Sequence, residues 1–205
     1  MDAAVTVFAR RGVEAAPISE IAATAKVSNG TFYYHFKDKA ELIDAVGHAV
    51  AAALVNQVDE EIKAIESGAE RVALATQLFI RHAATESEWG WMVVQAVIDM
   101  GQFRDQISRG IRKDVAIGVK QGHFDIESSD ALFTMLLSVV GVALRQRLEN
   151  PNGRNVEMMA SEIILRMLGV APAEARRLPN QVMVKHLGRQ KTGKDGDRKP
   201  HLKLI

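Results

Sequence analysis

Apolar positions recur along most of the chain three and four residues apart, and few stretches alternate as strands do. Val5, Phe8 and Ala9 make a first short segment, closed by Gly12. Ile18, Ile21, Ala22 and Ala25 make a second, with Pro17 suited to its first turn, where a missing N–H is harmless. Ser28 is a good N-cap for a third segment, running to about His35. Asp38 caps a fourth, answered by Glu41 in a capping-box-like pair, and Leu42, Val46, Val50 and Leu54 carry it to about Ile65. Ser67 and Glu70 repeat the signal ahead of Val72, Leu74, Leu78 and Phe79. Trp89 to Met100 is a further apolar stretch, and Gln102 to about Lys120 is amphipathic and closed by Gly122. Ser128 opens a helix reaching Leu148, stopped by Asn150-Pro151, and Asn155 opens the last one, which ends at Gly169. The pattern predicts an all-α protein.

Composition narrows the function classes. The chain has 205 residues, 47% hydrophobic and 25% charged, the balance of a globular protein with a sizeable core. It has no cysteine, which excludes a disulfide scaffold, a cysteine nucleophile and thiolate metal sites. No continuous apolar run reaches the roughly 18 residues of a membrane span, and Met1-Asp2-Ala3-Ala4 has none of the basic and apolar regions of a signal peptide. The expected setting is cytoplasmic, with no membrane partner. Net charge is +1 but uneven. Residues 176–205 hold nine Lys/Arg against Asp195 and Asp197, so the rest of the chain is acidic. Glycines and Pro200 among those charges read as a basic, disordered tail, able to add nonspecific attraction to nucleic acid.

Residues 18–36 hold two short helical segments with a three- to four-residue turn between them, the pattern of a helix-turn-helix. Ala22 and Ala25 are small where the helices would cross, Val27 would plug the turn, and Phe32 and Phe36 can pack on Ile21 and Phe8. Taking Phe32 as origin and about 100° per residue, Gly30, Tyr34 and Thr31 fall at about 160°, 200° and 260°. They share the face turned away from the core. Asn29 and Thr31 stand in the first turn, where a recognition helix meets base edges. Tyr33, Tyr34, His35 and Lys37 gather polar donors where a phosphate strand would run.

Phe8-Ala9-Arg10-Arg11-Gly12, Ile18-x-x-Ile21-Ala22, Val27-Ser28-x-Gly30-Thr31-Phe32-Tyr33-Tyr34-His35-Phe36 and Lys37-x-Lys39-x-x-Leu42 resemble the DNA-binding domain of TetR-type transcriptional repressors, over about residues 2–47. The resemblance implies a three-helix DNA-binding domain at 1–47 and a helical ligand-binding and dimerising domain at 48–175. It implies a palindromic double-stranded operator, a small-molecule effector that releases the DNA, and a homodimer. It places Ser19, Lys26, Ser28, Asn29, Gly30, Thr31, Tyr33, Tyr34, His35 and Lys37 at the DNA. Three features depart from the family pattern. Lys26 stands where glycine is usual, Pro17 replaces a Thr/Ser, and Met1 falls inside the first helix, which leaves an upstream start open. Residues 1–50 carry five Lys/Arg against six Asp/Glu, weak for a DNA-binding module.

The remaining chain is read as an effector domain. Leu132, Met135, Leu136, Val139, Val140 and Ala143 form one stripe, and Val156, Met159, Ala160, Ile163, Ile164, Met167 and Leu168 another. In the resembling family the matching helices meet a symmetry mate. Candidates for an apolar ligand pocket are Phe79, Trp89, Met92, Met100, Phe103, Phe133 and Met135, with His82 and Gln95 as polar contacts. His82 and Glu86 are four apart, but two ligands do not make a metal site. Neither metal nor cofactor is expected, and no phosphate loop, nucleophile elbow or carboxylate pair points to an enzyme. The reading is a ligand-responsive repressor. Its alternatives are a ligand-responsive activator or a protein-interaction module that has lost strong DNA binding.

Overall fold

The computed structural model describes residues 1–85, 87–98, 104–153 and 155–192, which form ten helices and no strand. They are α1 (Asp2–Arg11), α2 (Ile18–Thr24), α3 (Asn29–His35), α4 (Lys39–Ile62), α5 (Gly68–Ala83), α6 (Ser87–Ile98), α7 (Arg104–Lys120), α8 (Asp130–Glu149), α9 (Val156–Met167) and α10 (Pro172–Thr192). Side-chain caps open several of them. Ser28, Asp38, Ser67 and Ser129 accept hydrogen bonds from the backbone N–H of Thr31, Glu41, Glu70 and Leu132. The cap of α8 is therefore Ser129, one residue beyond the expected Ser128. The Asp38–Glu41 pair is reciprocal in a shifted form, since the Glu41 carboxylate accepts from the Lys37 N–H at 2.6 Å. Helix α4 stops at Ile62, a turn short of Ile65.

Helices α1 to α3 bury Ala4, Val7, Phe8, Ile21, Ala22 and Phe32, and Leu42 and Val46 of α4 continue the same core. Two expectations fail here. Ala25 is exposed and Val27 is 41% exposed, because the chain leaves α2 at Ala25 and the next two residues turn outward. Pro17 stands at the N-cap of α2 rather than inside it. Helix α4 then runs unbroken across residues 47 and 48 and carries Val50, Leu54, Val58 and Ile62 into the second core. There α5 is central, packed by α4, α6, α7, α8, α9 and α10. Its N-terminus meets α7 closely. A Cβ on Gly68 would overlap the Gly118 backbone, and one on Gly118 would overlap the Phe124 ring.

The expected disordered tail is ordered as far as it is described. Pro172 opens α10 in the position where a helix tolerates proline, and Ala175, Leu178, Val182 and Met183 are buried against the domain. Pro179 sits inside this helix, and its carbonyl accepts a 3.0 Å hydrogen bond from the buried Gln77 amide. Composition misled because the first basic pair, Arg176 and Arg177, is exposed between the buried Ala175 and Leu178. Residues 193–205 lie outside the described residues. Helix α8 also qualifies an expectation. Averaged over 18 residues its hydropathy is 1.4, long and apolar enough to cross a membrane, since its Thr and Ser interruptions barely lower the mean.

Candidate functional site

The first candidate surface is the outer face of α3. Ser28 fixes its start by accepting from the Thr31 N–H at 3.0 Å, and the two hydroxyls lie 3.0 Å apart. Phe32 anchors the helix inward, with Phe36 at 5.7 Å and Tyr33 edge-on at 5.2 Å between ring centroids. Tyr34 is 85% exposed and meets His35 edge-on. Ser19, Lys26, Ser28, Asn29, Gly30, Thr31, Tyr33, His35 and Lys37 are exposed as well. Every DNA-contact candidate is thus at the surface of α3, its flanking turns or the first turn of α2.

The turn between α2 and α3 explains Lys26. The Val27 N–H bonds to the Ala22 carbonyl and the Lys26 N–H to the Ala23 carbonyl, both at 3.0 Å, which is a Schellman closure. Such a closure puts its penultimate residue in the left-handed region, and Lys26 has φ 58°. Helices α7 and α9 end in the same pair of bonds, with Gly122 and Gly169 at the equivalent position. The charge near α3 is further trimmed, because Arg10 and Arg11 of α1 both pair with Glu20 of α2.

The second candidate is an apolar cavity of about 70 Å³ between α4, α5, α7 and α8. Val55, Val58, Ile62, Val72, Ala75, Phe79, Ile111, Leu137 and Val140 wall it, and Asp59, Thr76 and Asp114 supply its polar edge. Behind that edge lies the buried Arg71. It donates to Asp114 at 2.5 Å, to Asp59 at 2.9 Å, to the carbonyl of Ile62 at the end of α4 and to that of Ile65 in the turn beyond it. Lys113 also donates to Asp59, and that bond, with the nearby Arg71 charge, holds the Asp59 carboxyl below its ordinary value against the opposing effect of burial. Asp114 goes the other way: burial raises it despite the Arg71 contact.

Of the expected ligand contacts, Phe79 lines this cavity. Met92 is buried where α6 crosses Gly47 of α4, and Trp89 is half-buried. Phe133 is buried with the Arg112 guanidinium 4.2 Å over its ring. Met135 is 58% exposed, because Phe133, Leu136, Leu137 and Val140 take the inward face of α8. His82 lies in a different, polar cavity, 2.8 Å from Glu61. The side chain of Gln95, together with Glu86, Met100 and Phe103, lies outside the described residues. Asp59, Arg71 and Asp114 were not anticipated, although Asp114 stands between Ile111, Val115 and Gly118 on an otherwise apolar face. A charge at a buried helical phase was the available signal.

The outer faces of α8 and α9 form a third feature. Met135 and Val142 of α8 are 58% and 61% exposed, and Met159 and Ile163 of α9 are 53% and 39% exposed. The two helices pack on each other, and each leaves an apolar strip of its own face uncovered.

Comparison with known proteins agrees with this layout. Residues 1–46 match the family model of bacterial regulatory proteins, tetR family, and residues 67–181 match that of the tetracyclin repressor-like C-terminal domain. The crystal structure of RolR in complex with its ligand resorcinol is similar at a TM-score of 0.73 and 28% identity, covering 88% of this chain and 90% of RolR. The fatty acid metabolism regulator protein of Bacillus subtilis is 32% identical over 74 residues, 36% of this chain and 38% of that protein. The HTH-type transcriptional regulator AcrR of Shigella flexneri is 39% identical over 46 residues, 22% of this chain and 21% of AcrR. The chain thus spans well under half the length of these two curated relatives.

Proposed function

The chain belongs to the TetR family of bacterial regulatory proteins, and from that premise we propose that it is a cytoplasmic, homodimeric repressor that binds a palindromic operator and leaves it when a small effector fills the apolar cavity. The observation that carries the DNA reading is α3: a capped helix whose inward face is Phe32 and whose outward face is Asn29, Gly30, Thr31 and Tyr34, all exposed. Asn29 and Thr31 are suited to base edges, while Tyr33, His35, Lys37 and Lys26 are suited to phosphates. The test is an anisotropy titration against DNA flanking the chain's own gene at two salt concentrations. The expected result is tight binding that weakens steeply with salt, as counterion release requires. Binding without salt dependence, or none, would favour a protein-interaction module, the alternative to which the Glu20 clamp on Arg10 and Arg11 lends weight.

The cavity supports a refinement of the effector. Its walls are aliphatic apart from Phe79, and two carboxylates and a threonine hydroxyl stand at one edge. That combination suits a compact, uncharged ring bearing hydroxyl groups, with the hydroxyls donating to Asp59 and Asp114. RolR, which is similar over most of its length, is complexed with resorcinol, a molecule of this kind. Titration of the DNA complex with resorcinol is expected to release the DNA, and Asp114→Asn is expected to blunt the release while leaving DNA affinity intact. Asp59 and Asp114 both hold Arg71, and Arg71 holds the last carbonyl of α4, that of Ile62. An effector that competes for these carboxylates therefore acts on the helix that leads directly to the DNA-binding domain.

A further inference from the structure

Helices α4, α5, α8 and α10 line a second, half-open cavity of about 340 Å³ that shares no lining residue with the apolar one. Glu61, Arg81, His82, Arg147 and His186 supply its charged and titratable groups. Four separate helices contribute them, so the grouping is a product of the fold and not of local sequence.

The one carboxylate in this cavity is already engaged. Glu61 accepts from the Gln57 amide at 3.1 Å, lies 2.8 Å from His82 Nε2 and 3.9 Å from His186 Nε2. The two guanidiniums are differently placed. Arg81 donates to the sulfur of Met183 at 3.4 Å, and Arg147 donates to the Pro151 carbonyl. Among the described residues neither meets a carboxylate. A thioether is a weak acceptor, and a guanidinium has five donors in a planar fork that matches the oxygens of a carboxylate or phosphate. Two such forks facing one roomy polar cavity leave most of their donors for a guest.

We propose that this cavity is a second ligand site, distinct from the effector cavity, which takes a small molecule bearing an oxyanion group held between Arg81 and Arg147. The imidazoles of His82 and His186 border the same space, close enough for their signals to report a guest there. Carboxylate and phosphate present the same acceptor chemistry to a guanidinium fork, and the experiment separates them.

The test uses the full chain, titrated with inorganic phosphate and with succinate against sodium chloride at matched ionic strength. Thermal unfolding and the imidazole NMR signals are followed together. The expected result is a saturable rise in melting temperature with at least one of the two anions, accompanied by shifts of the His82 and His186 signals. His82→Gln and His186→Gln assign those signals. The double variant Arg81→Gln/Arg147→Gln is expected to bind about tenfold or more weakly. Arg81→Lys, which keeps the charge but loses the fork, should fall between it and the parent. The proposal is overturned if chloride gives the same response, if the double variant responds like the parent, or if the moving signal is that of His35 on the outer face of α3. Should the double variant fold poorly, the histidine signals of the parent protein still decide the matter.

Discussion

Two residues of one turn of α3 have opposite duties, and a pair of substitutions separates them. Phe32 is 5% exposed and Tyr34 is 85% exposed. Phe32→Ala should destabilise the domain by roughly 3–5 kcal/mol, the range for deleting a buried phenyl ring. Tyr34→Ala should leave melting unchanged and weaken DNA binding; a lost melting transition in that variant would put Tyr34 in the core. Lys26 has a split role of another kind. It holds a left-handed position that α7 and α9 give to glycine, a conformation that strains an L-residue by about 1–2 kcal/mol. It is also one of the few exposed cations beside α3. Lys26→Gly is therefore expected to raise the urea midpoint while lowering DNA affinity. A gain in both would mean that the lysine contributes nothing at the DNA.

Among elements, the helices were largely legible and the cavity was not. Caps at Ser28, Asp38 and Ser67, and the Phe32 phase of α3, are local facts that a single helix determines. A cavity forms where several helices fail to meet, and that depends on crossing geometry that no single stripe encodes. Choosing aromatic and methionine residues found Phe79 but placed Met135 inside, whereas the walls are mostly valine, isoleucine and leucine. Charge on a buried face would have served better, since Arg71 and Asp114 link α5 to α7 and Asp59 adds α4. This network has a pH signature. Asp59 is held low by Lys113 and Arg71, so its stabilising contribution is present above the ordinary carboxylate value of 3.8 and is lost as pH falls through its lower folded value. Asp114, raised by burial, has the opposite sign: protonation relieves the native state as pH falls. Urea midpoints of the parent and of Asp59→Asn should differ at about pH 7, and the gap should shrink as pH falls below 3.8. A constant gap would mean that Asp59 acts through packing and not through charge.

At the scale of the whole molecule, the apolar excess of α8 asks for a partner. Its inward side chains, Leu136, Leu137, Val140 and Leu144, are committed to the core, yet Met135 and Val142 stand outward, as do Met159 and Ile163 of α9. A second copy of the chain is the partner we propose, because a two-fold axis through these strips would cover the same patch on both copies. It would also set two α3 helices for half-sites about one DNA turn apart, which a lone copy cannot read together. The mean hydropathy of 1.4 along α8 then has a soluble cause, one face buried within the chain and the other between copies. Val142→Asp/Met159→Asp places charges on both strips without touching the core. The variant is expected to sediment as a monomer with its helical signal intact, to keep weak binding to a half-site, and to lose the added affinity for the full palindrome. If it remains dimeric, the copies meet elsewhere, and the strips need another occupant. If the parent is itself monomeric yet binds the palindrome tightly, the DNA and not α8 and α9 brings the copies together.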